Sequence, residues 1–215
     1  MSEIHLEVLG KEAIRLLPIL GKILGNRYYL AGGTALALQA GHRRSEDLDF
    51  FRLAEDGRLP GKERLKSGLR RLGKFVLEFE DEGTLHLAVH GVRVSLLAYR
   101  VPHLEPLVRA EGVGMAGPLD IGLMKLSAII GRGTKRDFID LAWIIREHYP
   151  LATLLKTLPR KFPEASAIVL IALKALVSFE QAEKSPDPVV LDPRYQWVPV
   201  RKFIVAEVKR IASQF

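Results

Sequence analysis

Three consecutive segments rich in apolar residues read as strands: "KFVLEFE" (74–80), "TLHLAVH" (84–90) and "VRVSLLAY" (92–99). Only "DEG" and a single glycine separate them. Connections this short join antiparallel neighbours, so the first half of the chain must contain a β meander. Ahead of it, "RYYLA" (27–31) and "DLDFF" (47–51) read as two shorter strands, with "TALALQA" as a helix between them that Gly41 ends. "GKERLKSGLRRLGK" (61–74) reads as a basic helix with Leu65, Leu69 and Leu72 as its buried stripe. Residues 3–24 repeat leucine and isoleucine at helical spacing, and Pro18 should kink or divide that helix.

Beyond residue 118 the pattern is helical, over 119–131, 135–148, 151–158, 163–183 and 199–213. The segment 184–199, with four prolines, reads as extended chain on the surface. The expected fold class is therefore α+β: a mixed α/β domain over 1–100, a proline- and glycine-rich linker over 101–118, and a helical domain over 119–215.

Two aspartates, Asp47 and Asp49, stand two apart in the second short strand. Side chains alternate along a strand, so both point to one face while Leu48 and Phe50 point to the other. Paired carboxylates repel unless a cation lies between them, and a hard ion such as Mg²⁺ suits oxygen ligands. A strand edge with its acids in water is the plain alternative. Gly32 and Gly33 end the first strand where a helix begins. Such a turn frees backbone N–H groups for a phosphate, with the Thr34 hydroxyl alongside. Alternatively, Thr34 is an ordinary N-cap.

Later in the chain, "DIGLMKLSAIIGRGTKRDFIDLAWII" holds Lys125 as the only charge between Asp120 and Arg132. A lysine so placed would reach for a triphosphate or for a carboxylate, or snorkel from a mostly buried helix. In "TKRD", Thr134 and Asp137 have the spacing of a capping box. Asp140 follows one turn on. Arg132, Lys135 and Arg136 form a basic cluster that suits phosphates or simply faces water.

The glycine turn followed by D-x-D resembles the signature of the DNA polymerase β-type nucleotidyltransferases. More narrowly, "YLAGGTALAL…GHRRSEDLDFF" is similar to the AbiEii/AbiGii toxin family, the likeness reaching Gly41, His42, Arg43, Ser45, Asp47 and Asp49. The lysine–arginine–KRDFID block matches that family too. The resemblance implies NMP transfer from an NTP to a hydroxyl with release of pyrophosphate, by the toxin of a bacterial toxin–antitoxin or abortive-infection pair. It implies Mg²⁺, one or two ions, on Asp47 and Asp49. Gly32, Gly33, Thr34, His42, Arg43, Ser45 and Arg132 would hold the nucleotide; Lys125 and Asp137 would join the aspartates in catalysis. A cognate antitoxin is the implied protein partner. The family fold commonly places a third acid on a later strand, but here "VRVSLLAY" offers Ser95. Glu78 and Glu80 share a strand face by alternation, which solvent exposure explains.

Composition narrows the setting. There are no cysteines, which excludes disulfides and thiolate metal sites and suits a cytoplasmic protein. The start of the chain lacks the pattern of a signal peptide, and "ASAIVLIALKALVSF" is too short for a membrane span and carries Lys174. A net charge of +7 and the basic helix over 61–74 favour a polyanionic acceptor, and with the family resemblance they imply RNA such as a tRNA end. A non-catalytic nucleotide- or RNA-binding protein of the same fold and an enzyme modifying a small molecule are the alternatives.

Overall fold

A computed structural model describes residues 4–165 and 167–214. Met1–Glu3, Ser166 and Phe215, over which the expected domain and helix ranges also ran, lie outside them. The chain divides into two compact units: Met1–Gln39 with Ser45–Gly117, and Ala40–Arg44 with Pro118–Phe215.

The first unit holds helix α1 (Lys11–Leu24), strand β1 (Tyr29–Leu30), helix α2 (Gly32–Ala40, ending just inside the second unit), strand β2 (Leu48–Leu53) and helix α3 (Lys62–Arg70). Strands β3 (Phe75–Glu80), β4 (Thr84–Val89), β5 (Val92–Tyr99), β6 (Val108–Ala110) and β7 (Val113–Met115) follow. Among the described residues these strands form one seven-stranded sheet, ordered β3-β4-β5-β2-β1-β7-β6. The expected meander is present, with β3–β4 and β4–β5 antiparallel. β2 lies parallel to β5 with Asp49 opposite Ser95, and β1 pairs antiparallel with β2 and parallel with β7. Leu85, Leu87, Val94, Leu96, Leu48 and Phe50 make the buried face. Pro18 does not divide α1, which is continuous. Gly21 brings that helix against the β6–β7 turn: a Cβ there would lie 2.3 Å from the Gly112 carbonyl oxygen.

Residues 101–118, expected as a linker, instead carry β6 and β7 and complete the sheet. Three-residue strands are too short for alternation to show, and the glycines that permit the tight β6–β7 turn look locally like loop.

The second unit is helical: α4 (Pro118–Gly131), α5 (Lys135–Glu147), α6 (Leu151–Lys161), α7 (Ile168–Ala175), α8 (Glu180–Lys184) and α9 (Trp197–Ile211). The expected helix over 163–183 is two helices, because Ser178 N–H closes a tight turn onto the Ala175 carbonyl and ends α7. Segment 184–199, expected to be extended, is so only over 186–190, where Val190 is bridged to Arg43; Pro193–Tyr195 forms a tight helical turn and α9 already begins at Trp197. A buried pair, Lys161 Nζ to Asp120 Oδ1 at 2.6 Å, ties α6 to α4. Among the described residues no helix is long and apolar enough to cross a membrane.

Candidate active site

In the first unit, Asp47 and Asp49 do face one side of β2. Both line a cavity of about 260 Å³ together with Glu78, His86, Arg93 and Ser95. Gly32, with φ of +68°, opens α2 beside this cavity; a Cβ on it would lie 3.8 Å from Asp49 Oδ2. The glycine turn and the aspartate pair are therefore neighbours in space. Asp47 Oδ1 is buried and receives no hydrogen bond. Arg93 Nε stands 2.8 Å from it, close enough for an ion pair but without hydrogen-bond alignment. Arg93 thus supplies charge but no aligned donor, and the lone pairs left on this buried oxygen suit a metal cation shared with Asp49.

Thr34 and Ser45 have local duties. The Thr34 hydroxyl is buried, lies 2.7 Å from Ser45 Oγ and donates to the Asp47 backbone carbonyl. It fixes the chain entering β2 and so aims Asp47. Thr34→Val should cost about 1–2 kcal/mol of stability by leaving those partners unmet, a loss that denaturant unfolding would register.

Glu78 was not singled out as a site residue. A β-bulge lies between Leu77 and Phe79, so alternation fails there. Glu78 thereby reaches the aspartate cavity while Glu80 bonds Lys66 of α3 at 2.7 Å. The shared face expected for the two glutamates is thus broken. His86 Nδ1 lies 3.0 Å from Ser95 Oγ across β4 and β5. No sequence spacing signals Glu78 or Arg93, since both reach the cavity through strand pairing.

The remaining expected site residues gather in the second unit around Asp140, which is fully buried. Arg43 donates to both of its oxygens, Nε to Oδ1 at 2.6 Å and an NH₂ group to Oδ2 at 2.9 Å. His42 Nε2 donates to Oδ1 at 2.8 Å. Lys125 Nζ lies 2.7 Å from Asp140 Oδ2 and 3.0 Å from Asp137 Oδ1. Of the partners the sequence left open for Lys125, a carboxylate is the one present. Asp137 Oδ2 caps α5 by accepting from the Thr134 N–H and hydroxyl, and exposed Arg132 donates to Oδ1 at 3.3 Å. Lys135 turns away to Asp187.

Burial opposes ionisation of Asp140, but Arg43 and Lys125 overcome it and hold its pKa well below the ordinary value. Burial likewise opposes ionisation of Asp137, and Lys125, Thr134 and Arg132 hold it low. Burial lowers the His42 pKa, with Asp140 only partly offsetting it. His42 is thus neutral, protonated on Nε2, and its buried Nδ1 has no partner. Because the folded pKa lies below the unfolded value, this histidine contributes stability above about pH 6.5, lost as pH falls toward the folded pKa. In that window stability should fall by up to about 1.4 kcal/mol per pH unit, and His42→Gln should flatten the profile; urea titrations between pH 5 and 8 would measure both.

The sheet, with paired aspartates beside a glycine-opened helix, is that of a nucleotidyltransferase. The nucleotidyltransferase toxin MenT4 (Rv2826c) of Mycobacterium tuberculosis H37Rv superposes with TM-score 0.59 at 16% identity, over 92% of this chain and 82% of that one. JHP933 of Helicobacter pylori does so with TM-score 0.53 at 18% identity, over 96% of each chain. At these identities the likeness is one of fold. Residues 19–208 match the family described as nucleotidyl transferase AbiEii toxin, type IV TA system, and the chain belongs to that family. An Aquifex aeolicus (strain VF5) protein, aq_aa25, is 33% identical over 202 residues, 93% of this chain and 94% of its own.

Proposed function

We propose that this toxin-family nucleotidyltransferase transfers a nucleoside monophosphate from an NTP to a hydroxyl of RNA. The reaction would join the acceptor oxygen to the α-phosphorus and break the α–β anhydride, with pyrophosphate leaving. The observation that carries the reading is the Asp47–Asp49 pair, open to a cavity beside the N-terminus of α2, with Asp47 Oδ1 lacking a hydrogen-bond donor. Among the described residues no three His, Cys, Asp or Glu side chains could by themselves hold a metal. Two carboxylates with a phosphate chain completing the oxygen shell suit Mg²⁺. When bound, the ion would neutralise triphosphate charge.

Gly32 and Gly33 leave backbone room for the phosphates, while Thr34 and Ser45 keep the aspartates in place. Glu78, in the same cavity, is the carboxylate available to take the acceptor proton. Arg132, exposed and paired at 3.3 Å with Asp137, is the cation of the second cluster that would turn toward an anion. His42, Arg43, Lys125, Asp137 and Asp140 hold α5, α4 and the segment Ala40–Arg44 together. A cognate antitoxin and a cytoplasmic setting fit the family.

The test is incubation of the protein with Mg²⁺, total RNA and each α-³²P-labelled NTP in turn. Labelled RNA is expected with at least one NTP, and none in Asp49→Ala. Tight Mg-NTP binding with no labelled product from any NTP would favour a non-catalytic binder. Label transferred to small molecules of a cell extract, but not to RNA, would replace the acceptor class.

A further inference from the structure

A cavity of about 790 Å³ in the first unit has no assigned role. Its rim carries Lys22 of α1, Arg27 from the turn that follows, Arg52 of β2, and Arg64 and Arg71 from α3 and its C-terminal end. No carboxylate lines it, and none of the ion pairs among the described residues includes these five cations. Two other bases of α3 are paired with acids: Lys66 with Glu63 and Glu80, Lys62 with Glu80. The fold thus sorts the basic helix noted in the sequence: Arg64 and Arg71 face one concavity, whereas Arg70 lies over the Phe75 ring.

A second, independent observation points to a ligand. Tyr28 lines this cavity and is only 4% exposed, yet its hydroxyl makes no aligned hydrogen bond, with the Arg52 guanidinium as its polar neighbour. Burial pushes the phenol above its usual pKa, so it remains a donor. Buried hydroxyls without an aligned partner are uncommon. Arg52 stacks over its ring at 5.9 Å. Alternation puts Arg52 on the side of Leu48 and Phe50, opposite Asp49, and three residues of strand separate the two by about 10 Å. The cavity shares no lining residue with the aspartate site.

We propose that this cavity is a second anion site, where the phosphodiester backbone of the acceptor RNA is held on the face of the sheet opposite the aspartate pair. The inference rests on the RNA reading above. Guanidinium forks fit phosphate oxygens, and a phenol donor adds one neutral hydrogen bond. Five cations spread over four segments exceed what a single phosphate can use, whereas a polymer presents one charge per nucleotide.

The experiment is fluorescence anisotropy of a labelled tRNA fraction from 50 to 300 mM KCl, with thermal melts to confirm folding. Three proteins are compared with wild type: Arg27→Ala/Arg64→Ala/Arg71→Ala, Tyr28→Phe, and a charge-matched control, Arg160→Ala/Lys202→Ala/Lys209→Ala. The triple rim variant should bind about 100-fold more weakly near 0.1 M salt, with its log–log salt slope shallower by about two units. Tyr28→Phe should weaken binding about fivefold with no change of slope, because it removes a donor but no charge. The control should lie within a few fold of wild type. Equal losses in the rim and control variants, or an unchanged slope in the rim variant, would overturn the site. So would absence of RNA binding by wild type at 50 mM KCl. The same proteins are then assayed for label transfer from NTP. Transfer by wild type and rim variant at equal RNA KM would sink this cavity while sparing the transfer reading. Rim-dependent binding with no transfer under any NTP would do the reverse.

Discussion

Asp49→Ala is expected to lower nucleotide transfer by at least about a thousandfold while leaving the fold intact. On the proposed reading, the activity falls because one of the two carboxylates that would hold Mg²⁺ against the triphosphate is gone. The fold survives because Asp49 is not a core side chain, and its loss relieves repulsion with Asp47 rather than opening a cavity. Isothermal titration should show Mg-dependent NTP binding in wild type and its near disappearance in the variant. Asp47→Ala should act similarly and also release Arg93. Equal Mg-NTP affinity in wild type and Asp49→Ala would remove the aspartates from the site altogether.

Asp140→Asn should have the opposite profile: a stability loss of about 3–5 kcal/mol, enough to unfold many domains of this size. It would leave the Arg43 guanidinium and the Lys125 ammonium buried with much of their counter-charge removed, and His42 with a changed partner. Lys125→Met should also destabilise, but less, since Arg43 still answers Asp140 and Arg132 still answers Asp137. The Asp140 contribution is present above the unfolded carboxylate pKa, near pH 4, and lost as pH falls through its lower folded value. Chemical denaturation at pH 7 would measure the losses. Wild-type stability in Asp140→Asn would mean that the cluster is already open to water.

Signals carried within a few residues were legible in the sequence. The meander followed from apolar runs and tight turns, the shared face of Asp47 and Asp49 from strand period, and the Thr134–Asp137 cap from spacing. Features that depend on long-range pairing were not. Asp140 looked like a second acid on a helix, because the residues that make it a hub, His42 and Arg43, come almost a hundred positions earlier. β7 was hidden because its partner is β1. The bulge that sends Glu78 and Glu80 to opposite faces leaves no mark on an apolar–polar pattern. The basic helix was read correctly as basic, but which of its charges are spent on neighbours is a property of packing.

The brief excursion of Ala40–Arg44 into the helical unit has a consequence for the order in which a growing polypeptide can mature. The chain leaves the sheet unit after Gln39 and rejoins it at Ser45, so no single scission yields two intact halves. On the ribosome, Arg43 emerges long before Asp140 is translated and has no carboxylate to receive it. The Arg43–Asp140 pair can form only once α5 has been made. A fragment stopping at Gly117 would display two side chains designed for burial, and one starting at Pro118 would lack the cation that locks its central acid. Co-expressed as separate pieces, the halves should associate, with Arg43 and Asp140 as the latch between them.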